Sequence, residues 1–192
     1  MKTSRILMMV GSLLLMALFF LPLWNISLQA PQYPEAIGMD IWINKIADHN
    51  PYDIKNINLM NHYVGMKEIP EHLPEFDIFP LVIIGMSVLG IVFGIIGKKY
   101  LYIFWFILMA GLGVAGMYDF YLWEYDYGHT LKETAAIKFT NPDGTPLAYQ
   151  PPLFGSKTIL NFNAISLPMS GAYVLFTGMM MTLLAYFKAR RE

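Results

Sequence analysis

The sequence predicts an all-α membrane protein, a four-helix transmembrane bundle with a small mixed α/β cap outside the cytoplasm, forming a single membrane domain over residues 1–192. Of the 192 residues, 56% are hydrophobic and 14% are charged, whereas soluble domains carry about 25% charged residues. The mean hydropathy is +0.44. Four apolar stretches approach the roughly 20 residues that a helix needs to cross a bilayer.

These stretches predict spans at about residues 6–24, 79–97, 100–118 and 167–187. Lys2 and Arg5 ahead of the first stretch would also suit a secretory signal, but the run is longer than a signal core and lacks a good small-residue cleavage site, so we expect an uncleaved anchor. Gly90 and Gly94 have the four-residue spacing that lets helices approach closely. The middles of the predicted spans contain no ionisable residue, which disfavours a transporter or pump.

Basic residues beside the spans predict the orientation of the chain, because cytoplasmic loops are enriched in Lys and Arg. Three clusters fall on one side of the predicted bundle: Lys2 with Arg5, Lys98 with Lys99, and Lys188 with Arg190 and Arg191. We therefore expect a multi-pass protein of a bacterial inner membrane with both termini in the cytoplasm. The outer segments, about residues 25–78 and 119–166, then face the periplasm.

Composition excludes several kinds of chemistry. The chain has no cysteine, so disulfides, thiolate metal sites and cysteine nucleophiles are ruled out. A net charge of −1 provides no basic field for a nucleic acid. Methionine is abundant, with 14 residues, so soft-metal chemistry would have to use thioethers and imidazoles.

The first outer segment shows strand periodicity near its start. Ile26, Leu28 and Ala30 alternate with polar residues, and the prolines that follow end the pattern. Residues 40–46 suit either a short strand or an interfacial helix. Aromatic residues crowd positions 118–127, at the outer end of the third predicted span, and we expect them to form an interfacial belt.

Methionine and histidine cluster later in this segment. His62 and Met66 are four residues apart and would share one face of a helical turn. Met60 is near them in sequence, and Met39 could reach the same place. Thioether and imidazole ligands suit Cu(I) or a mixed Cu(I)/Cu(II) site. The alternative is that His62 forms a hydrogen bond within the loop while the methionines pack beneath it.

A second cluster follows the third predicted span. On one continuous helix, Asp119, Asp126, His129 and Glu133 would fall within a narrow arc of the helix surface. Such a stripe could bind a divalent metal or transfer protons. It could equally be the solvated side of a helix leaving the bilayer, which is the interpretation we favour.

Several strings along the chain resemble small four-span bacterial membrane proteins associated with nitrous-oxide-reductase gene clusters and their copper-supply proteins. The strings are Ala30-Pro-Gln-Tyr-Pro34 with Gly38-Met39, Leu59-Met-Asn-His-Tyr-Val-Gly-Met66, Pro151-Pro-Leu-Phe-Gly-Ser-Lys157, and Asn161-Phe with Ser166-Leu-Pro168. The resemblance implies a periplasm-facing accessory factor in copper delivery or in maturation of a multicopper reductase. It implies no catalytic residue.

Two functional hypotheses follow from the sequence. The first is a non-enzymatic copper-handling protein with His62, Met66, Met39 and Met60 as ligands, whose partners are the lipid bilayer and a copper chaperone or periplasmic copper enzyme. The second is an assembly subunit that binds no metal and docks through an exposed aromatic patch around Trp42 or Trp123. An enzyme ranks third, because no nucleophile and base pair stands out.

Overall fold

In a computed structural model, which describes residues 2–192, the chain forms five helices and one five-stranded sheet. The helices are α1 (Thr3–Leu13, continued by a 3₁₀ helix at Leu14–Phe19), α2 (Asp53–Val64), α3 (Glu75–Ile96), α4 (Lys99–His129) and α5 (Ser170–Ala189). The strands are β1 (Trp24–Gln29), β2 (Ile37–Ile41), β3 (Ile46–Asp48), β4 (Gly155–Ile159) and β5 (Phe162–Pro168).

The predicted all-α fold class is wrong, because the protein is a mixed α/β structure. Its sheet is antiparallel throughout and has the strand order β3-β2-β1-β5-β4. The central pair, β1 and β5, joins the two outer segments, with Ile26 opposite Ser166 and Leu28 opposite Ala164. Hydropathy averaged over the length of a membrane span identifies apolar helices. It carries no information on the pairing of strands β1 and β5, which are far apart in sequence. The strand predicted from Ile26 onward is confirmed as β1, and residues 40–46 belong to the β2–β3 hairpin.

Three helices are long and apolar enough to cross a membrane: α3, α4 and α5. The first apolar helix, Thr3–Phe19, is shorter. Its eleven α-helical and six 3₁₀ residues, at about 1.5 and 2.0 Å per residue, give a length of about 28 Å. The 3₁₀ geometry therefore brings this short segment close to the roughly 30 Å thickness of a bilayer core.

Small residues allow α1 to lie between α3 and α5. A side chain at Gly90 would overlap Ser12, and one at Gly94 would overlap Met9. A Cβ atom on Gly11 would lie 2.7 Å from the carbonyl oxygen of Gly178. The predicted role of Gly90 and Gly94 in close helix contact is therefore confirmed.

The basic clusters meet at one end of this helical bundle. Ser4 Oγ donates a hydrogen bond to Glu192 Oε2 at 2.7 Å, and Lys2 Nζ donates to the Glu192 carbonyl at 3.3 Å. Arg5 donates to the carbonyl of Ile96 at 3.4 Å. The start of α1, the turn after α3 and the end of α5 are thus neighbours.

At the other end lies a region that we call the cap: the sheet, α2 and residues 119–129 of α4. Ile26, Ile37 and Met39 of the sheet pack against Ile57 of α2 and Tyr127 of α4 in its core. The turn between β2 and β3 connects cap and bundle, since Ile43 is buried within the cluster that includes Trp105 and Met109 of α4. The cap therefore stands directly on the helices.

Candidate functional site

A cavity of about 140 Å³ lies inside the cap, between one face of the sheet, α2 and the last turns of α4. Its walls are almost entirely apolar. Strand alternation explains the sheet side, because the register places Ile26 opposite Met39, and Leu28 opposite Ala164, on the same face. Met39 is buried there.

Helix α2 supplies a second wall through a regular stripe. Ile57, Met60, Asn61 and Val64 line the cavity, and their i, i+3, i+4, i+7 spacing puts them on one helix face. The Asn61 amide is held by a hydrogen bond to the Lys67 carbonyl at 3.0 Å. The only polar side chain of this stripe is therefore already partnered.

Met66 reaches the cavity because α2 ends just before it. Gly65 adopts a left-handed conformation with φ of 81°, and the Met66 N–H donates to the Asn61 carbonyl at 2.9 Å. This glycine cap reverses the chain. Met66 therefore follows the helix end, whereas the prediction for His62 and Met66 assumed a continuous helical turn.

The structure places the predicted copper ligands in two environments. Met39, Met60 and Met66 all line the cavity. His62 is exposed on α2 and does not line it. Its ring lies edge-on to Tyr63, with ring centroids 6.1 Å apart. Three of the four residues are thus brought together around one space, and the imidazole is not among them.

The outer turns of α4 form the third wall and contribute a carboxyl group. Phe120, Trp123, Glu124 and Tyr127 share one face of α4, and the last three line the cavity. Glu124 is completely buried, and neither of its carboxyl oxygens has a hydrogen-bond partner among residues 2–192. Burial raises the pKa of Glu124 to about 8.

The other polar atoms of this wall are also shielded from water. Trp123 and Tyr127 lie with ring centroids 4.6 Å apart, and the buried Trp123 Nε1 has no hydrogen-bond partner in the described chain. Burial, with smaller contributions from the charges of Asp126 and Glu68, raises the pKa of Tyr127 to about 12. Glu124 is the one carboxyl group lining the cavity within residues 2–192.

The second predicted cluster is dispersed. Helix α4 ends at His129, so Glu133 lies beyond it and its predicted place on the helical stripe is wrong. Asp126 accepts hydrogen bonds from Lys67 Nζ at 2.6 Å and Thr130 Oγ1 at 2.7 Å, and the Lys67 bond is the main cause of its lowered pKa. The His129 ring stacks on Tyr125. No group of three or more His, Cys, Asp or Glu side chains suited to a metal is found among residues 2–192.

The remaining acidic member, Asp119, is half-buried, and its pKa is raised by burial first and by the charge of Glu75 second. Trp42 and Trp123, around which an exposed aromatic patch was expected, are both half-buried. Of the predicted aromatic belt, Tyr118, Tyr121 and Tyr125 are exposed, while others belong to the cap core. The aromatic residues that could form the predicted belt are therefore those on the exposed side of α4.

Sequence reasoning missed Glu124, although a signal was present. Its position falls within the apolar i, i+3, i+4, i+7 pattern of α4. A charged residue inside such a stripe indicates a buried group. The aromatic residues around it are equally typical of a membrane interface, so this signal was not decisive.

No family model matches the chain, and no curated protein matches it. Fold and site define a protein in which helices, three of them among residues 2–192 long and apolar enough to cross a membrane, carry a sheet-built cap with an internal cavity. The functional argument rests on the residues around that cavity and on their chemistry.

Proposed function

We propose that this chain is a membrane-anchored, periplasm-facing accessory protein that binds Cu(I) in its cap and serves the delivery of copper to, or the maturation of, a copper enzyme such as nitrous-oxide reductase. A copper chaperone or the periplasmic enzyme itself would be its partner. The observation that carries the proposal is the convergence of Met39, Met60 and Met66 on one cavity.

Ligand chemistry favours copper over the common hard cations. Thioethers are soft ligands that select Cu(I), whereas magnesium and calcium require several oxygen ligands. Methionine side chains have three rotatable bonds and adapt to irregular spaces. Met39 is anchored in the sheet core while Met60 and Met66 are only half-buried, so the last two can adjust their sulfur positions around an ion.

The arrangement of charges supports a cap outside the cytoplasm. Lys2, Arg5 and the C-terminal Glu192 meet at the end of the bundle opposite the cap. The positive-inside rule assigns that end to the cytoplasm. With three spans of sufficient length and a fourth helix of about 28 Å, the bundle would cross the membrane four times and present the cavity to the periplasm.

A Cu(I) titration of the detergent-purified protein tests this proposal. Chelator competition under reducing conditions measures affinity for wild type, for the triple variant Met39→Leu, Met60→Leu and Met66→Leu, and for His62→Ala. Removal of the three thioethers is expected to weaken binding by roughly a hundredfold or more, about 2.7 kcal/mol. His62→Ala is expected to bind as wild type does, since that ring lies outside the cavity.

A matched control uses three methionines of the bundle. Met179, Met180 and Met181 follow one another in α5 and do not line the cavity. Their replacement by leucine changes the same number of thioethers without touching the cap. Equal affinities for the cap variant and wild type would overturn the proposed function.

A further inference from the structure

We propose that the Glu124 carboxylate is the anionic ligand of this site and restricts the cavity to a monovalent soft cation. The inference rests on the proposed function and deepens it, because it assigns a charge and an oxygen ligand to a site so far built from neutral thioethers.

Three observations make Glu124 a candidate ligand. Its side chain is fully buried, its two oxygens lack protein partners within residues 2–192, and it lines the same cavity as Met39, Met60 and Met66. Trp123 and Tyr127 line the cavity beside it.

Within residues 2–192, no salt bridge balances this carboxyl group. Lys67, from the segment after α2, pairs with Asp126 on the exposed side of α4. Glu68, whose charge acts on Tyr127 of this wall, is acidic and exposed. Burial alone accounts for the raised pKa of Glu124, and no cation of the described chain acts on that pKa.

An unpaired buried carboxyl group is costly. Transfer of a polar group from water to an apolar interior without a hydrogen bond costs a few kcal/mol, and an isolated ionised carboxylate costs more. A cation that binds in the cavity would displace the carboxyl proton to solvent and neutralise the ionised oxygens. The empty protein thus contains a destabilised group that a cation satisfies.

Charge balance then determines which cations fit. One carboxylate and three neutral thioethers carry a total charge of −1, so Cu(I) or Ag(I) makes the filled site neutral. A divalent ion would leave an uncompensated positive charge in an almost wholly apolar cavity, which is unfavourable at low dielectric constant. Sodium and potassium have the right charge, but thioethers are poor ligands for hard ions.

Silver and copper titrations of Glu124→Gln test the inference. Ag(I) is redox-inert and serves as the probe beside Cu(I), with zinc as a divalent competitor. We expect the variant to bind Ag(I) and Cu(I) roughly tenfold or more weakly than wild type. Glu71→Gln, which removes an exposed carboxyl group of the loop before α3, is expected to leave both affinities unchanged.

X-ray absorption of the Cu(I)-loaded wild type provides a readout that needs no variant. The expected shell contains sulfur and one oxygen, at about 2.3 Å and about 2.1 Å if the bonds are as long as those of zinc to sulfur and carboxylate ligands. A shell of sulfur alone would overturn the role of Glu124. Wild-type affinity in Glu124→Gln, together with lost binding in the triple methionine variant, would do the same while leaving the proposed function intact. Unchanged binding in the methionine variant would instead reject the proposed function itself.

Discussion

At the scale of single residues, two carboxylates of the cap differ sharply in how they are satisfied. Asp53 is buried at the start of α2, yet it accepts hydrogen bonds from the Gly38 N–H at 2.8 Å and the Asn50 N–H at 3.0 Å. Glu124 is buried without any such partner in the described chain. The first group stabilises the junction of sheet and helix, whereas the second leaves unsatisfied polar atoms beside the cavity.

This difference predicts a pH dependence of stability for the metal-free protein. Burial raises the pKa of Glu124 to about 8, above the ordinary value of 4.5, so the folded state holds this proton more tightly than the unfolded chain does. The contribution of the protonated Glu124 carboxyl group to the free energy of unfolding is fully present below about pH 4.5. It is lost as pH rises through about 8, with an upper limit of ~5 kcal/mol.

Thermal unfolding in detergent from pH 5 to pH 9 measures this effect. Wild type is expected to lose stability over the range more steeply than Glu124→Gln, whose amide does not titrate. The comparison cancels the titration of residues common to both proteins. Parallel curves for the two proteins would show that Glu124 does not carry the predicted shift.

At the scale of elements, the ends of helices and strands decide where site residues point. The left-handed Gly65 ends α2 and directs Met66 to the cavity. Gly128 has a comparable role near the end of α4, because a side chain there would collide with the backbone of Gln150 as that loop crosses the helix. The Tyr149 N–H donates to the Gly128 carbonyl at 2.9 Å at this crossing.

The turn between β4 and β5 contains a residue whose backbone strain can be relieved by a substitution. Ile159 pairs with Phe162, so Leu160 and Asn161 form a two-residue connection, and Leu160 has φ of 57°. A non-glycine residue in this conformation costs about 1–2 kcal/mol, and asparagine tolerates it better than leucine does. Leu160→Asn is therefore expected to stabilise the cap by about 1 kcal/mol, measured by thermal unfolding.

The control variant also introduces an asparagine, but at position 158 of the β4 strand. Thr158 is an exposed residue of the β4 strand with no positive φ. Asparagine is depleted in strands, so Thr158→Asn is expected to be neutral or slightly destabilising. A gain of stability at both positions would mean that asparagine acts through something other than the backbone of Leu160.

Sequence patterns predicted the elements better than their assembly. Hydropathy located α3, α4 and α5, and alternation from Ile26 located β1. The helix that the second cluster assumed beyond the third predicted span is present as far as His129. The β1–β5 pairing depends on contacts between distant segments, which no local pattern encodes.

The candidate site was only partly predictable, because it too depends on contacts between distant segments. Proximity in sequence identified Met60 and Met66 as neighbours, and Met39 was included as a residue able to reach them. His62 does not line the cavity because it lies on a different face of α2 from the one that faces the sheet. The chain reversal at Gly65 also ends the helical turn that would have aligned His62 with Met66. Both are properties of the assembled cap.

At the scale of the whole molecule, the absence of cysteine from the sequence makes its membrane orientation directly testable. Ser156 in β4 and Lys99 at the start of α4 are both exposed and lie on opposite sides of the proposed bilayer. Single cysteine substitutions at these positions are expected to differ in reactivity. In intact spheroplasts, a membrane-impermeant maleimide should label Ser156→Cys and spare Lys99→Cys.

Labelling after detergent lysis is the control, since both cysteines should then react. Labelling of Lys99→Cys in intact spheroplasts, with protection of Ser156→Cys, would place the cap in the cytoplasm and reverse the proposed orientation. The functional proposal would then lose its link to a periplasmic copper enzyme.

The pairing of β1 with β5 has a consequence for how the protein is made. Trp24 pairs with Pro168 and Gln29 with Asn163, so a growing chain cannot complete the sheet until almost all of it has left the ribosome. The edge of β1 that pairs with β5 therefore stays open until α2, α3 and α4 have been made. The cavity between sheet and helices is therefore completed late in synthesis, and a chain truncated before β5 would lack the wall that Phe162 and Ala164 provide.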